Sequence, residues 1–256
     1  MFNKFILLSL LFGFNSYCFQ NKTSGNNILF KNALDTNPVS VIMVKDSLIH
    51  NKSEVLNFEL PYFKISNNYS VNKKLLKQYG FFSLETVKDS LKLEKKTAIK
   101  DSSYSDCSYQ GYYNKNNLLS FSLTRRFIVL KYELYNEYYN LNLKEGNDIK
   151  LNMIFDNIDS ILPIINSKIE EYKKYALKDD DFDELEKNNI KTNSFTLDKV
   201  PDNFILKEVE GNLSIQFFTS QYKYSSTDFN PYDDLFFTFQ ELKPYLTDDF
   251  KKQIGL

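Results

Sequence analysis

The residues able to do chemistry are few and scattered. His50 is the single histidine, and the two cysteines are Cys18 and Cys107. A Ser/His/Asp triad needs a histidine beside its nucleophile, and zinc needs several His or Cys ligands in one cluster. This set argues against both, and no glycine-rich phosphate loop is found. The densest acidic run is 179–186, DDDFDELE. There Asp179, Asp181 and Asp183 reproduce the first three alternating ligands of a calcium loop. The position that should be Gly is Glu184, however, and the twelfth, which should be Glu, is Ile190. The run therefore reads as the solvated start of a short helix, and no metal ligand, cofactor or catalytic residue is assigned. Paired carboxylates of the glycosidase kind need only two acids at the right separation. Glu59, Glu133 and Glu137 lie in or beside predicted strands, where an exposed strand face explains them equally well.

The aromatic content offers binding chemistry instead. With 23 Phe, 18 Tyr and no Trp, the chain is rich in side chains that combine rigid apolar area with a hydroxyl. Tyr109, Tyr112 and Tyr113, followed by Tyr132, Tyr135, Tyr138 and Tyr139, could make a tyrosine-rich sheet face. Covering of the core accounts for them more simply, so Tyr132, Tyr135, Tyr138 and Tyr139 stand as a speculative binding set.

These residues must be held by exported structure. Lys4 precedes the apolar run 5–14, FILLSLLFGF, the layout of a secretory signal peptide. It is about half the length needed to span a bilayer. Cleavage after Cys18 starts the mature chain at Phe19; the alternative makes Cys18 the lipid-bearing first residue of a lipoprotein, with Tyr17 standing where a small residue is usual. The expected location is therefore periplasmic or secreted, or lipid-anchored at Cys18. After cleavage Cys107 has no disulfide partner in the chain and reads as a small buried residue. Lys+Arg 32 against Asp+Glu 33 gives no bulk attraction to nucleic acid or anionic lipid.

Residues 19–53 read as a polar linker, in which Val39, Val41, Ile42 and Val44 can add an early strand. The domain proper is expected over 54–256, with 54–106 and 107–256 as candidate subdomains. Residues 55–65, VLNFELPYFKI, predict a strand kinked at Pro61. A helix over 70–79 closes at Gly80, and 84–106 is charged and ambiguous. Strands are predicted at 108–113, 118–123, 127–134 and 138–143, joined by turns such as 114–117, NKNN, and 145–147, EGN. Short turns make antiparallel hairpins, so a meander is expected, with no βαβ unit. Ile161, Ile165, Ile169, Tyr172 and Ala176 are spaced as one helical stripe, predicting a helix over about 160–177 capped by Asp159 or Ser160. Strands at 204–209, 213–219 and 235–239 and short helices at 240–246 and 248–254 complete the chain. The fold class is α+β: an antiparallel sheet packed against one long and a few short helices.

The order of certain segments carries a resemblance. They are 59–63 ELPYF, 117–122 NLLSFS, 140–146 NLNLKEG, 149–155 IKLNMIF, 195–197 FTL, 211–217 GNLSIQF and 235–246 LFFTFQELKPYL. Together they resemble the RsiV-like, or PdaC-like, extracytoplasmic domain family of unknown function. That family includes the outer part of the lysozyme-sensing anti-sigma factor RsiV and the non-catalytic domain of the peptidoglycan deacetylase PdaC. The resemblance spans about 55–250. It implies a two-layer α+β fold, an envelope or extracellular location, and binding of a lysozyme-like protein or cell-wall glycan in some relatives. The family often has Gly-Gly-Ala-His near its central strand; residues 132–139, YELYNEYY, have neither Gly nor His, so no site residue carries over. The expected function is a non-enzymatic envelope binding protein. Its partner would be an envelope or extracellular protein or a peptidoglycan fragment, and not nucleic acid. A carboxylate-dependent polysaccharide hydrolase and a structural envelope component are the alternatives.

Overall fold

A computed structural model describes residues 37–50, 54–66, 69–101, 104–128, 132–219, 229–232 and 235–256. The expected signal peptide, Cys18 and the expected linker as far as residue 36 lie outside the described residues. The fold is α+β, built on a six-stranded mixed sheet and a three-stranded antiparallel sheet.

Regular structure starts ahead of Val55, inside the stretch expected as linker. Strand β1, Val39–His50, forms an antiparallel hairpin with β2, Glu54–Ile65, in register from Val39↔Ile65 to His50↔Glu54. Val39 is buried, and Val44 and Leu48 pack on the same core, which gives this segment its place in the sheet. The β2 ladder runs unbroken past Pro61, yet the burial pattern changes phase there. Phe58 and Leu60 are buried two apart, and the next buried pair is Pro61 and Phe63. β2 meets its other neighbour, β3, at Phe58↔Cys107 alone, so the missing Pro61 N–H falls beyond that ladder, where it is tolerated.

The ambiguous stretch supplies the main departure from a pure meander. After α1, Lys73–Gln78, and a 3₁₀ turn, Gly80–Phe82, comes α2, Leu84–Lys100. Ser83 caps α2 by accepting from Thr86 N. This crossover delivers β3, Tyr104–Lys115, parallel to β2, as a parallel pair requires. Only Val87, Leu91 and Ala98 of α2 are buried, so its apolar stripe is thin, and eight of its seventeen residues are charged.

From β3 the chain does meander. β4, Leu118–Ile128, and β5, Tyr132–Asn142, pair antiparallel from Leu118↔Asn142 to Ile128↔Tyr132. The separate strands expected at 127–134 and 138–143 are therefore incorrect: the connection falls between 128 and 132, and both flanking strands are longer than expected. Asn116 and Asn117 turn β3 into β4 at φ 53° and 58°, the left-handed backbone that asparagine tolerates. β6, Asn147–Asp148, ends the sheet after a turn through Gly146 at φ 74°. A Cβ there would come within 2.6 Å of Asn72, so glycine is needed for close approach as well as for conformation.

α3, Leu151–Ile154, leads through a 3₁₀ turn, Ile158–Ile161, into α4, Leu162–Ala176. Neither Asp159 nor Ser160 caps α4; Asn157 caps the preceding turn by accepting from Asp159 N. Ile161, Ile165, Ile169 and Ala176 are buried as the stripe predicted, each Ile contributing about 1.5–3 kcal/mol. Asp183 begins α5, Glu184–Thr192, in a reciprocal capping box with Glu186. Asp179 accepts from Asp181 N, so the alternating carboxylates serve backbone turns. β7, Asn203–Val209, β8, Asn212–Phe218, and β9, Phe236–Thr238, form the small sheet, and α6, Asp248–Ile254, ends the described chain.

The large sheet has a core on each face. Leu119, Phe121, Leu123 and Leu141 join β2 and α2 in one; Leu118 and Tyr113 join α3, α4 and the small sheet in the other. Among the described residues its outer strands are unequal: β1 has twelve residues and β6 two.

Candidate functional site

Strand alternation divides the tyrosine set between two faces. Tyr139 lies on the α2 side, its ring stacked on Phe121 at 4.7 Å and its hydroxyl donating to Glu137 at 2.7 Å. Tyr135 is on that side too, near the outer end of β5, exposed and edge-on to Phe127 at 5.7 Å. Tyr138 faces the opposite way and stacks on Phe218 of β8 at 4.4 Å, with 11° between the rings. Tyr132 is the first residue of β5, opposite Ile128. Tyr109 packs against Phe63 and Phe121, and burial pushes its phenol up to about 12. Tyr113 is buried. No single tyrosine face results.

Tyr138 borders a cleft. A cavity of about 410 Å³ opens where β5, the segment Asp148–Asn152 and the start of β7 meet. Tyr138 and Ile158 give it apolar wall; Asp148, Lys150, Asn152 and Asp202 give it polar wall. A buried amide network fixes this wall. Ser120 Oγ donates to Asn140 Oδ1 at 2.7 Å, Asn140 Nδ2 donates to the Phe204 carbonyl at 2.7 Å, and Leu206 N donates to Ser120 Oγ at 3.0 Å. Where β4 and β5 meet β7, small polar side chains take the place of apolar ones, so hydrogen bonds join the two sheets. The Asn140 amide is thereby committed, although it borders the cleft. Asp148 is oriented from the other side by the Tyr79 hydroxyl, which donates to its Oδ1. Burial and this carboxylate push the Tyr79 phenol well above its usual range, so it remains a donor. Asp202 is exposed and pairs with Lys199 at 3.2 Å.

The remaining candidates sit elsewhere. Glu137 and Glu94 of α2 flank Arg125, at 2.7 and 3.0 Å, and Tyr104 donates to Glu94 at 2.6 Å. This half-buried cluster ties α2 to the sheet. Glu59 pairs with Lys45 at 2.6 Å on an exposed face. His50 ends β1, and Glu133 lies opposite Phe127. Cys107 is buried against β2 and α2, and burial pushes its thiol up to about 12, which suits a packing residue and not a nucleophile. Of the speculative binding set Tyr138 lines this cleft; Asp148, Lys150 and Asn152, which line it too, were signalled only by the density of polar residues around 140–152, and Asp202 by no pattern in the sequence. Among the described residues no helix is long and apolar enough to cross a membrane.

No protein-family profile matches the chain, and no curated protein matches it. Solved structures do. A DUF3298 family protein from Pseudomonas aeruginosa PAO1 aligns with a TM-score of 0.50 at 11% identity, over 84% of this chain and 96% of that one. A member of the DUF3298 family from Bacteroides fragilis NCTC 9343 aligns at 14% identity and a TM-score of 0.47, over 86% and 98%. The likeness to the Pseudomonas protein is one of fold: the α+β arrangement of a DUF3298 protein, followed along most of the chain.

Proposed function

We propose that this chain is an exported, non-catalytic binding protein of the bacterial envelope whose ligand is a cell-wall glycan fragment. The observation that carries the reading is the Tyr138 cleft. A rigid aromatic ring, braced from behind by Phe218, stands beside Lys150, Asn152 and Asp202. An aromatic surface suits the apolar face of a sugar ring, and convergent amide, ammonium and carboxylate groups suit its hydroxyls and N-acetyl groups. The segments that resemble RsiV-like and PdaC-like domains support the same compartment and ligand class, and the signal-like N-terminus supports export.

Calorimetry of the purified chain against soluble peptidoglycan fragments tests the proposal. One-to-one binding is expected. Heat with a C-type lysozyme but none with the fragments would replace the glycan by a protein ligand. Release of cleaved glycan during the titration would replace binding by hydrolysis.

A further inference from the structure

Beside the Tyr138 cleft, and sharing only Ile149 and Asn152 with it, lies a larger one of about 910 Å³. Its walls are the β3–β4 turn, the β5–β6 turn, α3 and α6. Both turns have backbone of fixed shape, set by Asn116 and Asn117 on one side and Gly146 on the other. The Asn142 side chain further braces the second turn by accepting from Lys144 N and Glu145 N. The floor is apolar, with Ile149 and Phe250 buried and Met153 half-buried.

The rim has a different character. Asn117, Asn152 and Gln253 present three amides, each able to donate and accept at once. Lys144 and Glu145 stand on one wall, and Lys252 with Asp249, 3.7 Å apart and both exposed, on the other. Charges of both signs distinguish this rim from a surface for a simple anion, since each lysine has an acid beside it. A neutral glycan has nothing to match them. A peptide does: an amide donor and acceptor at every residue, apolar side chains for the floor, and a terminal carboxylate. The volume lies in the range of sites that enclose small organic ligands, enough for a few residues in extended form.

We propose that this cleft is a second binding site, which takes a short extended peptide. Its backbone amides pair with Asn117, Asn152 and Gln253, and its C-terminal carboxylate is held by Lys144. The site shares Asn152 with the Tyr138 cleft, but its peptide ligand does not depend on the glycan reading.

The test is a titration of the ¹⁵N-labelled chain with a pool of N-acetylated tetrapeptides randomised at every position, with free C-terminal carboxylates, and with the same pool amidated. Shifts at Asn117, Lys144 and Gln253 are expected, with an apparent dissociation constant of about 1 mM or tighter. The amidated pool should bind about fivefold or more weakly, roughly 1 kcal/mol. Lys144→Gln, at an exposed position, should remove that difference while keeping the spectrum otherwise intact. Equal responses to the two pools, shifts confined to the Tyr138 side, or no shifts up to about 10 mM would each overturn the proposal. A peptidoglycan titration that fails while this one succeeds would sink the glycan reading and leave the peptide site standing.

Discussion

Replacing Asn140 by Ala probes how the two sheets are fastened. The Asn140 amide is buried at 7% exposure and serves the Phe204 carbonyl, Ser120 Oγ and, at 3.3 Å, Leu206 N. Truncation leaves the Phe204 carbonyl buried without its donor, which costs about 1–3 kcal/mol. It also removes the Ser120 contact, worth about 1 kcal/mol. Leu206 N–H keeps Ser120 as its acceptor and adds little. The expected total is about 3 kcal/mol, and a chain of this length loses about 2–4 °C of melting temperature per kcal/mol, so the transition should fall by about 6–12 °C. Scanning calorimetry and urea unfolding read this directly. Ser120→Ala alone should cost less, about 1 kcal/mol, because Asn140 still accepts from Leu206 N. The double variant should exceed the sum of the singles by about 1 kcal/mol: it alone leaves the Leu206 N–H without an acceptor, about 1–3 kcal/mol, against about 1 kcal/mol for the Ser120–Asn140 bond that both singles count. A loss below about 1 kcal/mol for Asn140→Ala, with additive singles, would mean that the junction is held by something other than these bonds.

Three further outcomes follow from the same geometry. Tyr138→Ala should weaken glycan binding about tenfold, roughly 1.4 kcal/mol, whereas Tyr135→Ala, on the opposite face, should leave the calorimetric constant unchanged; equal effects would contradict the alternation. Gly146→Ala should destabilise by about 2 kcal/mol or more, from the positive φ and the contact with Asn72, and a thermal melt within experimental error of the parent would refute the close approach. The Cys107 thiol and Tyr109 phenol are each raised to about 12 from ordinary values of 9.0 and 10.0. The unfolded chain therefore ionises first, and their contribution is complete below about pH 9 and is lost as pH rises toward about 12. Urea midpoints measured from pH 8 to 11.5 should be level and then fall; a flat profile throughout would contradict the burial of both groups.

What could be read from sequence was what local pattern determines. The α4 stripe, the β7–β8 hairpin with its Gly211 turn, and α6 each follow from apolar spacing or turn chemistry confined to a few residues. α2 was illegible because only Val87, Leu91 and Ala98 are buried in its seventeen residues, and charge conceals so thin a stripe. Hidden with it was the parallel β2–β3 pair, which exists only because α2 returns the chain to the sheet. The β4–β5 boundary was misplaced because residues 127–139 are uniformly rich in strand formers, with no glycine or proline to mark the turn. Tyr138 could be nominated by type, but not separated from Tyr135 and Tyr139 until the strand's phase was known. The polar wall comes from Asp148 to Asn152 on one side and Asp202 on the other, residues that only the packing of β7 across β5 brings together.

The unequal outer strands of the large sheet bear on how the chain behaves when concentrated. β6 offers two residues, too little for another chain to extend. Among the described residues the longer outer strand of this sheet is β1, which carries Val41, Ile42 and Ile49 exposed. Near its middle Lys45 and Asp46 are each fastened to a partner, Glu59 and Lys95. Two copies pairing antiparallel about that point would set Lys45 against Lys45 or Asp46 against Asp46, because opposed residues share a face. Like charges directly opposite weaken a ladder. The charged midpoint thus guards an otherwise sticky rim, and protects colloidal solubility in a crowded medium. Exchanging Lys45 and Glu59 for apolar residues, with both cores intact, would favour two copies joining edge to edge through β1.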